Sequence, residues 1–346
     1  MSPRISSSPA LLPKKVSAHL PCQIQSRVCK TYKGVSSVWR FILIGIFIIS
    51  CLLTPALAAG PFEVRLPAPG QPLDPNALTV VGQPQEYVLE SGENLLDIAR
   101  HHGLGYLELG TIYRHWDPFL PPPGAQIIIP TTWIVPSTPK HQIIVNTGEM
   151  RLYFFTDNFT KVITYPIGMG VLDFKTPTGV FKVVDKRTNP TWHIPKSLQA
   201  KYGAASMPPG PDNPLGEYKL TLSWGDYGIH GTHMPWGVGR LVSHGCTRMY
   251  PEHIKKLFPL VKVGTSVEYI YEPVMIGFKH GRIYLSVSQD YYHRIPDMLT
   301  YTLQRLEKNQ LLGEVDLTKL VKAVEESWGI PVDITRFPGG MASQAD

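Results

Sequence analysis

The sequence predicts a mainly β protein: a β-sandwich or barrel-like domain, preceded by a small α+β module and followed by a short α/β appendage. Three observations predict it. Thirty glycines and 33 prolines in 346 residues break the chain too often for a helical bundle. Short apolar runs, each bounded by turn residues, recur through residues 141–272. Helical spacing of apolar residues is concentrated in the stretches on either side. A chain of this length can bury two or three cores.

Residues 1–58 stand apart by charge. They hold Arg4, Lys14, Lys15, Arg27, Lys30, Lys33 and Arg40, and no acidic residue. The whole chain carries +6, but beyond residue 58 the count is 26 basic against 27 acidic side chains. The basic character therefore belongs to the leader, and a nucleic-acid-binding reading loses its support. The apolar run Phe41 to Ser50 is shorter than the ~20 residues of a spanning helix, and Ala56-Leu57-Ala58 supplies a small-x-small cleavage pattern. The expectation for 1–58 is a cleaved signal peptide. An uncleaved N-terminal anchor, or lipidation at Cys51, is the alternative. Each places the rest of the chain outside the cytoplasm, in the periplasm, with membrane contact only through a retained leader.

Residues 59–83 are rich in Pro, Gly and Ala and read as a linker without a core. Within 84–131 the pattern changes. Residues 85–89 alternate like a strand, Ser91-Gly92-Glu93-Asn94 is turn and cap chemistry, and Leu95, Leu96, Ile98 and Ala99 repeat at helical spacing. A second helix is expected over 106–115 and a second strand over 125–130. Strand, helix, helix, strand in this order resembles a LysM module. The matching pieces are Tyr87-Val88, Ser91-Gly92-Glu93-Asn94-Leu95, Ile98-Ala99, Gly103, Asp117, and Gly124 to Pro130. The resemblance implies affinity for the glycan of peptidoglycan.

Residues 138–273 form the β domain. Ile143 to Asn146 and Arg151 to Phe155 flank a turn at Thr147-Gly148-Glu149. Further strands are expected over 162–167, 179–184, 218–223 and 266–271, with one helix over 251–258 opened by a proline. Residues 201–216, rich in Pro and Gly, read as a long ordered loop. In 274–346 a strand is expected over 282–287 and helices over 296–310 and 316–328, the second with Leu317, Leu320, Val321, Val324 and Trp328 on one face. Nothing in this appendage carries a catalytic signal.

The chemistry gathers at Ser243-His244-Gly245-Cys246-Thr247-Arg248. Once the leader is cleaved, Cys246 is the single thiol, so no disulfide can form within the chain. A lone cysteine is either a buried passenger or a reactive group. His244 lies two residues away, where an extended chain brings both to one face, and glycine-flanked His230 lies upstream in Tyr227-Gly228-Ile229-His230-Gly231-Thr232. Arg248 has the fork that grips a carboxylate. Ser243 reads as a turn residue. Trp224 and Trp236 read as core or groove wall. A zinc site using His230, His233, His244 and Cys246 is a rival, although no HExxH is present.

His230-Gly231-Thr232 followed by Ser243-His244-Gly245-Cys246-Thr247-Arg248-Met249 resembles the signature of L,D-transpeptidases with a YkuD-type catalytic domain. Lys175-Thr176-Pro177-Thr178-Gly179 and Pro208 to Gly216 support the match. The resemblance implies acyl transfer on peptidoglycan stem peptides, without cofactor or metal. Cys246 would be the nucleophile, His230 the base oriented by the Gly231 carbonyl, and His244 a support for the intermediate. The Gly245 and Cys246 N–H groups would form the oxyanion hole. The wider substrate-binding set is Arg248, Ser243, Thr232, Trp224, Tyr227 and Trp236. The acceptor stays open between a second stem, a lipoprotein lysine and water, and a non-catalytic wall-binding protein is the remaining alternative. Opposite charges favour each other's ionised forms, so Cys246 and His230 are expected to pair partly as thiolate and imidazolium.

Overall fold

Ile143-Ile144-Val145 and Leu152-Tyr153-Phe154-Phe155 are apolar at consecutive positions, which suits strands covered on both faces. The computed structural model describes residues 60–67, 74, 76–137 and 139–336. The expected leader, with Cys22, Cys29 and Cys51, lies outside the described residues. The two runs sit inside a nine-stranded sheet. Its spatial order is Phe62–Glu63, Lys161–Pro166, Arg151–Thr156, Ile143–Asn146, Ser266–Ile270, Gly179–Thr188, Tyr218–Leu222, Gly228–His230 and Thr247–Arg248. Neighbours run antiparallel except at two places. Ile143–Asn146 lies parallel to Ser266–Ile270, and Gly228–His230 lies parallel to Thr247–Arg248. The architecture is thus mainly β, as expected, and its largest sheet is curled.

Alternate residues of the central strands feed two cores. Ile143, Val145, Leu152 and Phe154 join Val183, Leu220, Ile229 and Tyr269 on one face, covered by Ile254 and Leu257 of the helix Pro251–Leu260. Ile144, Tyr153, Phe155 and Val162 point the other way, into a core shared with Leu95, Ile98, Ala99, Leu104, Leu109, Ile127 and Ile129 of the small module. Burying each large apolar side chain contributes about 1.5–3 kcal/mol. The module has the expected β-α-α-β order: Gln85–Val88 pairs antiparallel with Gln126–Ile129 around the helices Leu95–His101 and Tyr106–Gly110. Asn94 caps the first helix by accepting from the Asp97 N–H at 2.9 Å. The second helix ends at Gly110, short of the expected His115, and Tyr113 and Trp116 stack beyond it at 5.1 Å.

The segment 59–83 is not a bare linker. Phe62–Glu63 forms an edge strand of the large sheet, Val80–Gly82 pairs with Thr132–Ile134, and Val64, Ala77, Val80 and Val81 are buried. The prolines between these two strands hid them in the sequence. The appendage holds a three-stranded sheet of Val274–Lys279, Arg282–Val287 and Val332–Asp333, packed on helices Met298–Lys308 and Leu317–Glu326. Its first strand was unexpected, because Val274-Met275-Ile276-Gly277-Phe278 is buried throughout and has no alternation. The loop expected over 201–216 carries the end of a short helix, Lys196–Tyr202, and a two-residue strand, Ser206–Met207.

Module and sheet are joined tightly. Gly105 and Gly239 touch backbone to backbone, and a Cβ added at Gly239 would stand 2.3 Å from the Tyr106 nitrogen. The Tyr106 N–H donates to the Val238 carbonyl at 3.0 Å. Arg151, 1% exposed, reaches Glu108 of the module at 2.5 Å under the Trp133 ring. It also donates to Thr164 Oγ1 and to the Gly103 carbonyl. Glu108→Ala should leave that guanidinium buried without a counter-ion and cost about 3 kcal/mol. Arg100→Ala breaks the bidentate pair with Glu252, whose side chains are 34% and 39% exposed, and should cost about 1 kcal/mol or less. Urea unfolding of both variants at pH 7 tests this ordering.

Candidate active site

The register of three neighbouring strands lines up one row of side chains. Lys219 pairs with His230, and His230 pairs with Arg248. Directly opposed residues share a face of a sheet. Leu220 and Ile229 take the other face, in the core. His230, 3% exposed, is therefore flanked by two cationic side chains at the sheet's edge. Its Nδ1 lies 2.7 Å from the Gly231 carbonyl oxygen. A carbonyl only accepts, so Nδ1 carries the proton and Nε2 is left as the basic nitrogen.

Cys246 stands one residue before the strand Thr247–Arg248 and is partly exposed. Its thiol lies 3.9 Å from the Asp226 carbonyl oxygen, in the turn leading into the His230 strand. Ser243 closes the preceding turn: its hydroxyl donates to the Cys246 carbonyl at 2.6 Å and accepts the Gly245 N–H at 3.1 Å. Two expectations change here. The Gly245 N–H, expected as an oxyanion donor, goes to Ser243, so it is not available. Ser243, proposed as a substrate contact, is 2% exposed and engaged with the main chain. The Cys246 N–H finds no acceptor among the described residues, and it is the amide left to meet an oxyanion.

Gly245 has a φ of +106°. Tyr227 lies over its α-carbon within a stack in which Trp224 and Tyr227 are 4.7 Å apart and Phe181 and Trp224 are 5.1 Å apart. Trp224 and Trp236 are exposed rather than part of the core. Thr232 is buried, and its hydroxyl closes a turn with Met234, taking its N–H at 3.0 Å. His244 is exposed and leans on Phe174 at 4.7 Å, and burial, then the Arg248 charge, lowers its pKa. His253 is buried between Tyr165 and Tyr250. Sequence reading missed Lys219, whose place beside His230 comes only from strand register. It also missed a bond from Thr176, whose hydroxyl donates to the Gly245 carbonyl at 3.0 Å. Among the described residues no three His, Cys, Asp or Glu side chains cluster as metal ligands, the zinc rival's set included. A cavity of about 560 Å³ between the sheet and the helix Met298–Lys308 contains none of these residues.

Burial works against the expected ion pair. It pushes His230 down to about 3, with the Arg248 charge as the next cause. Burial also raises the Cys246 thiol, against opposing pulls that include Lys219 and Arg248. Desolvation penalises the charged form of each group. His230 holds no proton to lose between pH 5 and 7, and the acid limb it contributes lies far below the ordinary value near 6.5. The expected kcat/KM profile therefore has no acid limb centred at 6.5. A pH–rate series with an acid midpoint near 6.5 would overturn this. The sign for stability follows: neutral His230 supports the fold fully above pH 6.5, and that support declines as pH falls from 6.5 toward 3.

Residues 140–274 match a family described as the L,D-transpeptidase catalytic domain, YkuD. The chain is 33% identical over 296 residues to the probable L,D-transpeptidase YcfS of Escherichia coli K12, covering 80% of this chain and 92% of that protein. It is 33% identical over 303 residues to the probable L,D-transpeptidase YbiS of the same strain, covering 82% and 98%. The probable L,D-transpeptidase ErfK/SrfK of Salmonella typhimurium is 31% identical over 289 residues, covering 78% and 92%.

Proposed function

Because the chain belongs to the L,D-transpeptidase family with a YkuD catalytic domain, we propose that it transfers peptidoglycan stem peptides through a thioester on Cys246. One observation carries the reading: the only described thiol stands beside an unpartnered amide, next to a strand ending in a histidine whose Nδ1 proton is held by Gly231. Cys246 Sγ attacks the carbonyl joining the stem's diamino acid to the terminal D-Ala. Its proton passes to His230 Nε2. The oxyanion meets the Cys246 N–H. The intermediate collapses, His230 returns the proton to the departing amine, and D-Ala leaves. An amine then attacks the thioester and restores the thiol. The acceptor is a second stem or a lipoprotein lysine; water would make the same acyl-enzyme a carboxypeptidase. Arg248 and Lys219, on either side of His230, offer a bidentate and a point-charge grip on stem carboxylates.

The LysM-like module supplies a glycan contact, supported by its β-α-α-β order, and the acid-free leader supports a periplasmic location. The test is mass spectrometry of tetrapeptide muropeptides incubated with the protein, with and without an amine acceptor. Expected are D-Ala release and an acyl adduct mapped to Cys246, both resistant to chelator. A cross-linked product identifies the stem acceptor, and a tripeptide alone identifies water. Activity lost to chelator and restored by zinc would sink the proposal, as would glycan binding with no D-Ala release.

A further inference from the structure

The family match ends at residue 274, yet the appendage reaches back to the cysteine turn. Tyr292 is fully buried in the core of the large sheet. Its hydroxyl accepts the Thr176 N–H at 3.0 Å and donates to the Gly170 carbonyl at 2.8 Å. Thr176, also buried, accepts the Gly170 N–H at 2.9 Å on Oγ1. An N–H can only donate, so that bond leaves the threonine's own hydroxyl proton to be given to the Gly245 carbonyl at 3.0 Å. Every proton in this relay has one direction, and its end point is the Gly245–Cys246 peptide.

A trans peptide is planar, with its C=O and N–H pointing opposite ways. Holding the Gly245 oxygen therefore aims the Cys246 N–H, which no acceptor among the described residues takes. Gly170 tightens the arrangement, since a Cβ there would stand 2.0 Å from the Phe174 oxygen and 3.1 Å from the Gly245 α-carbon. Tyr292 is itself held in place. Its N–H donates to Tyr271 Oη at 3.0 Å, the two rings stack at 5.6 Å, and Lys175 donates to its carbonyl at 3.1 Å. Asp290 accepts from Tyr271 Oη and from the Ile295 N–H, fixing the segment on either side.

We propose that Thr176 and Tyr292 are positioning residues that aim the Cys246 N–H at the developing oxyanion, making the appendage part of the catalytic apparatus. The proposal rests on the reading of Cys246 as nucleophile. Two reactions of one thiol separate positioning from general support. Acylation by a carbapenem or a tetrapeptide stem develops an oxyanion; alkylation by iodoacetamide, a displacement at a methylene carbon, does not. In the full-length protein, Thr176→Val is expected to slow acylation roughly 10-fold to 100-fold, and Tyr292→Phe to slow it about 10-fold. In both, the alkylation rate and its pH dependence should stay within about 2-fold of wild type, and Thr176→Ser should restore acylation. Acylation near the wild-type rate in both variants, or acylation and alkylation falling by the same factor, would overturn the proposal. Acylation that persists in Cys246→Ala would instead sink the nucleophile reading.

Discussion

Cys246→Ala is expected to abolish D-Ala release and thioester formation, a fall of at least about 10⁴-fold in kcat. No other described cysteine can take over. Ser243, three residues earlier, cannot serve either, because its hydroxyl bonds both ends of the turn. Cys246→Ser is the finer variant. It keeps the size and the N–H of residue 246 but replaces a thiol with a hydroxyl of far higher pKa. His230 then faces a harder deprotonation with no more basicity than before. Turnover should fall roughly 10³-fold or more while stem binding persists, so KM should move far less than kcat. Steady-state D-Ala release together with intact-protein mass measures both quantities. A Cys246→Ala protein within 10-fold of wild type would remove the thiol from the mechanism.

Gly245→Ala is the second large effect, and it comes from a single methyl group. The added Cβ would stand 2.4 Å from one carbon of the Tyr227 ring and 3.2 Å and 3.3 Å from two others. The ring cannot simply yield, because Trp224 and then Phe181 are stacked behind it. The φ of +106° adds strain of about 1–3 kcal/mol for any residue with a side chain. The cheapest relief is rotation of the peptide toward negative φ, which swings the Cys246 N–H off target. Loss of one oxyanion donor costs about 10²–10³ in kcat. The expected result is a fall of that size in stem acylation, with the thiol still reactive toward iodoacetamide. Adding Tyr227→Ala removes the clash but not the positive φ, so recovery should be partial. Wild-type acylation by Gly245→Ala would show that the peptide orientation is unimportant.

The parts of the site legible in the sequence were those carried by residue type and near spacing. Cys246 stood out as the lone thiol beyond the leader, and His230 was marked by the glycines on either side. Strands such as Ile143–Asn146 and Arg282–Val287 fall at the expected residues, since short apolar runs between turn residues leave few alternatives. What stayed hidden depends on partners far apart in the chain. Glu108 and Arg151 look like ordinary surface charges until the module docks. Tyr292 acts through hydroxyl bonds to main-chain atoms, which leave no trace in residue order. The Gly245 N–H was assigned wrongly for a local reason: Ser243, two residues back, competes for it, and turn formation wins because it costs no substrate. The burial that opposes a thiolate–imidazolium pair is not visible in a motif.

The contact of Gly105 with Gly239 bears on how such a protein samples a wall. A reading head on a string would widen its search as the string lengthened. Here the chain of the module's second helix lies against the loop between His230 and Cys246, with no room for a methyl group, and one core continues across the joint. Head and blade are one casting. Under the proposed function, a polymer held by the module would be offered to the thiol at a fixed offset, as work is set in a jig. Choice among neighbouring stems then becomes a matter of pitch along the polymer, and extra residues between the module and the sheet would loosen the tool without extending its reach.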